Sequence, residues 1–388
     1  MTVSHAALGE TAVVLSGFAF KSDFFNDNDG VPLIRIRDVT RGYSKTFYSG
    51  PYTRDFLVED GDILIGMDGN FEAARWKGGP ALLNQRVCRI NGLPAILDDS
   101  YLFHFLAPAL KKIENATPFV TVKHLSASDV RGIELPLPPL PEQRRIAAIL
   151  DQADALRTKR REALAQLDSL TQSIFIEMFG DQQSQGWPIE RIADMAALLD
   201  GSIRTGPFGS QLLHSEFVAA GVAVLGIDNA VANEFRWAER RFITEAKYRE
   251  LRRYTVKPGD VLITIMGTCG RCAVVPDDMP VAINTKHLCC ITLNLMKCLP
   301  EFLHAFFLRH PMARGYLEQT SKGAIMSGLN MGLIKAMPIP VPPLALQQTF
   351  ATRIQAVESL KATHRAALAE LDALFASLQH RAFAGQLS

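Results

Sequence analysis

The feature that most constrains the fold is a duplicated proline-rich junction, followed each time by a long segment without proline or glycine. Residues 135–164 read LPLPPLPEQRRIAAILDQADALRTKRREAL, and residues 339–368 read IPVPPLALQQTFATRIQAVESLKATHRAAL, 204 positions later. The junction prolines, one glutamine and several later apolar residues keep this register through more than forty positions. Because chance does not readily preserve one register over such a length, the chain is predicted to be an internal duplication.

The segments after the two junctions are predicted to be long amphipathic helices. Apolar residues recur at steps of three and four through 142–179, and a similar segment runs from about Leu344 to Phe383. At 1.5 Å per residue each helix would be roughly 55 Å long and too narrow to bury a core alone. We expect the two to pack as an antiparallel coiled coil. The alternative is two ordinary amphipathic helices, each packed on its own domain.

The segments before the helices are predicted to be two similar β-rich globular domains. EDGDILIGMDG at 59–69 corresponds to KPGDVLITIMGT at 257–268, and GVPLIRIRDV at 30–39 to GVAVLGIDNA at 221–230. LLNQRVCRI at 82–90 corresponds to AINTKHLCCI at 282–291, where Asn84 and Asn284 are each expected to open a strand. The predicted fold class is α/β (α+β), with two β-rich domains, two helices and an internal pseudo-two-fold repeat. The predicted domain limits are 1–140, 141–180, 181–341 and 342–388.

Composition narrows the class of protein. A chain of 388 residues with 48% hydrophobic and 21% charged residues is typical of a globular protein of two or three domains. The N-terminus lacks the basic start of a signal peptide, and no apolar run reaches the roughly 18 residues of a membrane helix. Six cysteines without a secretory signal favour reduced thiols in the cytoplasm.

The net charge of +1 shows no overall basic excess, so any nucleic-acid surface must be local. Residues 236–257 are the best candidate, since they hold eight basic residues among aromatic ones. A solvated helix face would look similar, because acidic residues are interspersed. Both interpretations stay open.

Taken together, these motifs resemble the specificity (S) subunits of type I restriction-modification systems. The resemblance rests on the duplicated IELPLPPLPEQ-type junction, on TGPFGSQL at 205–212, and on GDILIGMDGNF and KPGDVLITIMGTCGR. It implies that 1–140 and 181–341 are target recognition domains, each recognising half of a split double-stranded DNA sequence. The helices would form the spacer and the docking surface for two adenine methyltransferase subunits, which a translocating endonuclease subunit would join. The chain itself would be non-catalytic, without cofactor, metal or membrane association.

Two rival hypotheses come from other classes: a catalytic DNA-modifying or metal-dependent DNA-cleaving enzyme, and a helical scaffold without DNA contact. Asp228, Glu245 and Lys247 resemble a D…ExK nuclease site, although ITEAKYRELRR has helical character rather than the strand positions such sites use. Cys269 and Cys272 with the adjacent pair 289–290 resemble half of a zinc ribbon. Adjacent residues of a strand point to opposite faces, so small buried hydrophobic residues are the preferred interpretation of these cysteines.

The candidate DNA contacts are amide, hydroxyl and basic side chains near glycine loops, because arginine and amides recognise base edges whereas lysine mostly contacts phosphate. Trp76 is expected to be a core anchor, and Arg86 and Lys286 are expected inside strands. The candidates in the first domain are Lys21, Ser22, Asn70, Arg75, Lys77 and Arg86. The candidates in the second domain are Ser210, Gln211, Thr268, Arg271, Lys286 and Lys322.

Overall fold

The chain forms two compact units that each combine one globular part with pieces of both long helices. The computed structural model describes residues 4–117, 123–180, 186–237, 240–322 and 329–387, apart from the side chains of residues 321 and 322. Unit 1 consists of Met1–Glu162 and Arg365–Ser388, and unit 2 of Ala163–His364. Each unit therefore contains the start of one long helix and the end of the other.

Unit 1 is built from three small sheets, and its strands Ile63–Gly66 and Ala81–Leu83 are buried along their whole length. The first is a pair of strands, His5–Ala7 with Glu134–Pro136. The second is antiparallel and has the strand order Ala12–Ser16, Val87–Gly92, Ile63–Gly66, Ala73–Arg75. The third has the order Phe25–Asn26, Phe47–Tyr48, Val31–Ile34, Ala81–Leu83, Leu57–Val58. Its helices are Leu8–Thr11, Ile36–Val39, Asp99–Ala116 and Ala127–Arg131.

Unit 2 repeats this plan. Its strand pair is Ile189–Arg191 with Pro338–Pro340, and its antiparallel sheet has the order Ile203–Thr205, Leu288–Ile291, Val261–Thr264, Cys272–Val274. Its third sheet has the order Phe242–Ile243, Val222–Leu225, Ala282–Asn284, Thr255–Val256. Its helices are Glu245–Leu251, Pro300–Arg309, Pro311–Lys322 and Met331–Ala336. The predicted duplication of a β-rich domain is confirmed.

The third sheet of each unit contains one pair of parallel strands among antiparallel ones. In unit 1, Val31–Ile34 runs parallel to Ala81–Leu83, and in unit 2, Val222–Leu225 runs parallel to Ala282–Asn284. The expectation that Asn84 and Asn284 open strands is wrong. Asn84 follows a strand and Asn284 ends one, because the chain turns sharply at these asparagines before the next strand begins.

The two long helices are Leu140–Phe179 and Leu344–Phe383, each of 40 residues and related by the same 204-residue register. In unit 1 the start of the first helix packs on the end of the second: Arg157 Nε donates to Asp372 Oδ1 at 2.6 Å, and Arg145 Nη2 donates to the Leu387 carbonyl at 2.6 Å. In unit 2 Lys361 Nζ lies 2.8 Å from Asp168 Oδ1. The helices run antiparallel in each unit, which confirms the coiled-coil prediction.

The ion pairs between the helices are themselves repeated. Arg157 contacts Asp372 on the opposite helix and Asp154 on its own helix. At the equivalent position Lys361 contacts Asp168 on the opposite helix and Glu358 on its own, and it is 4% exposed. Since a buried ammonium needs partners, Lys361 holds the helices in one register in unit 2, as Arg157 does in unit 1.

Not every apolar residue of the predicted stripe is covered. Leu156 and Leu170 of the first helix are exposed, and so are the equivalent Leu360 and Leu374 of the second. Leu156 and Leu374 belong to unit 1, and Leu170 and Leu360 to unit 2. Each unit therefore presents one equivalent pair of leucines on its paired helices.

A buried glutamine fastens each proline junction to its globular part. Gln143 Oε1 accepts from the Asp98 N–H at 2.9 Å, while its Nε2 donates to the carbonyls of Ile96 and Pro138. Gln347 repeats these bonds with the Leu299 N–H at 2.9 Å and the carbonyls of Lys297 and Pro342. Neither side chain is exposed, so both amides are fully paired inside the core.

We expect Gln347→Leu to destabilise unit 2 by about 2–4 kcal/mol, because one N–H and two carbonyls lose their buried partner. Hydrogen exchange of unit 2 peptides measures this loss. The adjacent, exposed Gln348 offers the matched control Gln348→Leu, for which we expect a change within about 0.5 kcal/mol. Equal protection in the two variants would contradict a structural role for the buried amide.

Candidate nucleic-acid interface

In both units several loops converge at the carboxyl ends of the two parallel strands. In unit 1 these strands lead into the segments 35–37 and 84–86. The loop after Ile63–Gly66 joins them, because the Met67 N–H donates to the Arg86 carbonyl at 2.8 Å. The segment 17–22 joins them as well, through the Gln85 N–H, which donates to the Phe18 carbonyl at 2.8 Å. Side chains distant in sequence therefore meet at one edge of the sheet.

Arg86 lies at the tip of this edge in unit 1. Its φ of 78° is in the left-handed region, where a residue with a Cβ is uncommon. Its guanidinium contacts Asp68 at 3.0 Å, and Asp68 in turn is 2.6 Å from His124 Nδ1. The expectation that Arg86 lies inside a strand is wrong, since it occupies a tight turn with an exposed side chain oriented by a carboxylate.

The same edge of unit 2 surrounds a cavity of about 780 Å³. The walls come from the loops 207–212, 226–231 and 285–287, with Arg241 and Phe217. The hairpin 265–271 lies alongside, because the Ile265 N–H donates to the His287 carbonyl at 2.9 Å. Lys286 lines the cavity from the turn 285–287, so the expectation that it lies inside a strand is also wrong.

The charges at this cavity are mostly positive and close together. Arg241 Nη2 donates to Asp228 Oδ1. Arg241, Lys286 and His287 all line the cavity, and burial, followed by the charges of Lys286 and Arg241, lowers the pKa of His287. Such a concentration of donors favours an anionic or base-edge ligand.

The candidate residues of unit 1 divide between this edge and other places. Lys21, Ser22 and Asn70 are exposed on the converging loops beside Arg86. Arg75 lies on the strand Ala73–Arg75, where it pairs with Ile63 at the start of its neighbour rather than at the carboxyl edge. Its Nη2 donates to Ser100 Oγ at 2.8 Å, so it packs on the helix Asp99–Ala116.

Lys77 and Trp76 follow Arg75 and lie away from the edge formed by Arg86. Lys77 is exposed. Trp76 is buried, as expected, and its Nε1 donates to the Gly79 carbonyl at 2.6 Å. The segment at Trp76 is therefore held in place by the buried indole ring and its hydrogen bond.

In unit 2 four candidates occupy the converging loops: Ser210, Gln211, Thr268 and Lys286. Gln211 is held in place, since its Oε1 accepts from the Tyr254 hydroxyl at 3.0 Å. Arg271 is exposed where the hairpin 265–271 returns to the sheet. Lys322 ends the helix Pro311–Lys322, and its side chain lies outside the described residues.

Three described basic residues of the segment 236–257 lie in different surroundings. Arg241 borders the cavity, Lys247 pairs with Glu216 and Glu250, and Arg253 stacks 4.7 Å from the Tyr254 ring centroid. Because Lys247 and Asp228 have different ionic partners, the structure does not assemble the D…ExK arrangement. Across the described ranges, no three His, Cys, Asp or Glu side chains are grouped as metal ligands would be.

The buried cysteines agree with their interpretation as small hydrophobic residues of the core. Cys289 and Cys290 lie in two different hydrophobic clusters on opposite faces of their strand. Cys272 is buried with Cys289, while Cys269 is partly exposed. Burial raises the pKa of Cys289 to about 12, so this thiol stays protonated.

Two residues at this edge, Arg37 and Asp228, are not among the predicted DNA contacts, and Asp228 is considered only as a metal ligand. The correspondence of GVPLIRIRDV with GVAVLGIDNA contains the signal, because it aligns Arg37 with Asp228 directly after a buried strand. The correspondence alone does not show where these two residues lie. The parallel pairing of the strands brings Arg37 close to the turn at Arg86 and Asp228 close to the turn at Lys286.

The repeated fold, with a polar loop site in each unit, defines a protein with two recognition domains. Residues 3–166 and 234–373 match the family described as the type I restriction modification DNA specificity domain. The chain is 30% identical over 416 residues to the specificity subunit of the type I restriction enzyme EcoBI from Escherichia coli, covering 98% of this chain and 85% of that subunit. It is 22% identical over 328 residues to the MjaVIII specificity subunit from Methanocaldococcus jannaschii, covering 79% of this chain and 74% of that subunit.

The fold is also that of a solved specificity subunit. The crystal structure of the type I restriction-modification S subunit from M. genitalium is 15% identical in sequence, with a TM-score of 0.61 and coverage of 99% of this chain and 96% of that chain. The chain belongs to the type I restriction-modification DNA specificity family. It is the specificity subunit of such a system, a non-catalytic component, and the resemblance stated from its sequence is confirmed. Within the described residues, none of the helices combines the length and apolar character needed to cross a bilayer.

Proposed function

We propose that residues 1–140 and 181–341 are the two target recognition domains and that each recognises one half of a bipartite double-stranded DNA sequence. The supporting observation is the carboxyl edge of the parallel strands, which has the same backbone plan in both units and different side chains. A shared scaffold with different loop residues is what two different half-sites require. The modest net charge fits a local recognition surface, with partner subunits supplying much of the phosphate contact.

Within these domains the candidate residues have two roles. Arg86, Asn70 and Gln211 carry forked or amide groups suited to base edges. Lys21, Lys286, Ser22, Ser210 and Thr268 are suited to the phosphate backbone. Arg75 and Lys77 lie away from the loop site and Arg271 lies at its border, so these three would contribute through packing or long-range charge.

The helices 141–180 and 342–388 act as the spacer and as the docking surface for two adenine methyltransferase subunits. Each unit presents an equivalent pair of exposed leucines, Leu156 with Leu374 and Leu170 with Leu360. Because the same apolar pair occurs once per unit, it fits two copies of one partner. A translocating endonuclease subunit completes the complex, and its place of action is the cytoplasm.

The experiment is co-expression with the methyltransferase from a neighbouring gene, followed by mapping of methylated adenines. We expect a split motif in which two fixed half-sites flank a gap of unread bases. Replacing residues 1–134 with the first domain of a related subunit should then change one half-site and leave the other intact. A change in both halves from an assembled complex would contradict independent recognition domains. Methylation or cleavage of DNA by the purified chain alone would instead support the enzyme hypothesis.

A further inference from the structure

One pair of structurally equivalent positions differs in chemistry between the two units. In unit 2 the pair is Asp228, just after the strand Val222–Leu225, and Arg241, just before Phe242–Ile243. The Val224 N–H donates to the Arg241 carbonyl at 2.8 Å, and the two side chains contact each other. The pair is therefore fixed to the carboxyl edge of the parallel strands by both backbone and side chain.

In unit 1 the equivalent pair is Arg37 with Thr46. The Leu33 N–H donates to the Thr46 carbonyl at 2.8 Å, as Val224 does to Arg241. Arg37 Nη2 lies 3.5 Å from Thr46 Oγ1, at the limit of a hydrogen bond. The backbone turn beside each pair is also the same. The Arg35 N–H donates to Asp38 Oδ2 at 3.0 Å, and the Gly226 N–H donates to Asn229 Oδ1 at 2.9 Å.

In each pair an arginine has its guanidinium partly exposed to solvent, while backbone hydrogen bonds hold the pair at the sheet edge. The Arg37 side chain is 53% exposed. In Arg241 the side chain is 36% exposed, while its Nε is buried without a partner in the described residues. Its exposed part is therefore the Nη end, where Nη2 donates to Asp228 beside the cavity lined by Lys286. Arginine presents two parallel N–H groups that match O6 and N7 of guanine in the major groove.

We propose that this pair of positions sets base specificity in each domain: Arg241, oriented by Asp228, recognises a guanine in one half-site, and Arg37, anchored near Thr46, recognises a guanine in the other. The inference rests on the proposed function, because it names residues of the same DNA site. Asp228 is a positioning residue, since it acts through the guanidinium that it holds. Thr46 has the same part in unit 1.

The test is Arg241→Lys in the chain assembled with its methyltransferase. Lysine keeps the positive charge but cannot form the two parallel bonds. We expect discrimination against the wrong base to fall tenfold to a hundredfold at one guanine of one half-site, with the other half-site unchanged. Asp228→Asn should relax the same position and no other. Arg37→Lys should relax one guanine in the opposite half-site, and it provides an independent test if a unit 2 variant does not assemble.

Arg236→Lys is the matched control, because Arg236 is exposed in the same loop and pairs with Glu234 away from the cavity. We expect this variant to methylate the parental motif. A half-site without any G·C pair, or an unchanged motif in both Arg241→Lys and Arg37→Lys, would overturn the inference. A wild-type complex that methylates no bipartite motif would instead contradict the proposed function, so the two failures are distinguishable.

Discussion

A chain with three heptads added to each long helix should recognise the same half-sites across a gap longer by about nine or ten base pairs. Insertion after Glu162 and after His364 leaves the ion pairs of Arg157 in unit 1 and of Lys361 in unit 2 intact. Twenty-one helical residues add about 32 Å. Whole heptads preserve the apolar stripe of the coiled coil. The added length is close to one DNA turn of roughly 34 Å, so the two half-sites stay on nearly the same side of the duplex.

Methylation mapping of this variant, with DNA duplexes of graded gap length as competitors, measures the effect. The matched control inserts nineteen residues at the same two places, which changes the length little but rotates the stripe by roughly 150°. We expect the control to lose packing and methylation. An active three-heptad variant with the parental gap would refute the spacer role and leave the helices as a docking surface only.

Gly206→Ala should abolish recognition of the half-site bound by unit 2, because an added Cβ would approach backbone more closely here than at any other described glycine of this unit. A Cβ at Gly206 would overlap the Asn284 carbonyl oxygen and the backbone of Thr285. The turn 285–287 would have to move, and with it Lys286 at the cavity. We expect a loss of about 3 kcal/mol or more in the stability of unit 2 and a loss of specific binding of at least a hundredfold.

The equivalent change Gly17→Ala would overlap the Asn84 carbonyl and should disable unit 1 in the same way. Gly315→Ala is the control, because nothing lies within 4 Å of its added Cβ. It sits in the helix Pro311–Lys322, where alanine is favoured over glycine by about 1 kcal/mol. Binding to duplexes with one intact half-site shows which domain each variant disables. Denaturant unfolding measures the accompanying loss of stability. Wild-type stability and affinity in Gly206→Ala would show that the close approach is dispensable.

The sequence predicted the elements whose signals are local. The proline junctions and the unbroken apolar period gave both long helices nearly to the residue, and the Gly-Asp turns located the buried strands at Ile63 and Val261. The duplication itself could be seen because helix register and junction glutamine persist at a constant spacing. These features depend on residues that are neighbours along the chain.

The site depends on contacts between distant residues, and a linear pattern does not contain them. Asp228 and Lys286 line one cavity only because their strands are parallel neighbours. The sequence predicts Arg86 inside a strand of the segment LLNQRVCRI, yet the chain turns there with positive φ. Leu156 fits the helical stripe but stays exposed, since periodicity predicts a face and not what covers it.

Unit 1 is formed by two separate segments of the chain, and this determines when it can complete its fold. Its first part ends at Glu162, but residues 365–388 complete it, with Phe383 packing against Tyr101 and Phe105. Unit 2 is continuous in the chain. At about 5–20 residues per second, a ribosome needs roughly ten to forty-five seconds to synthesise residues 163–388. During that interval the aromatic core around Tyr101 lacks Phe383, so the domain that is synthesised first is the last to complete its core.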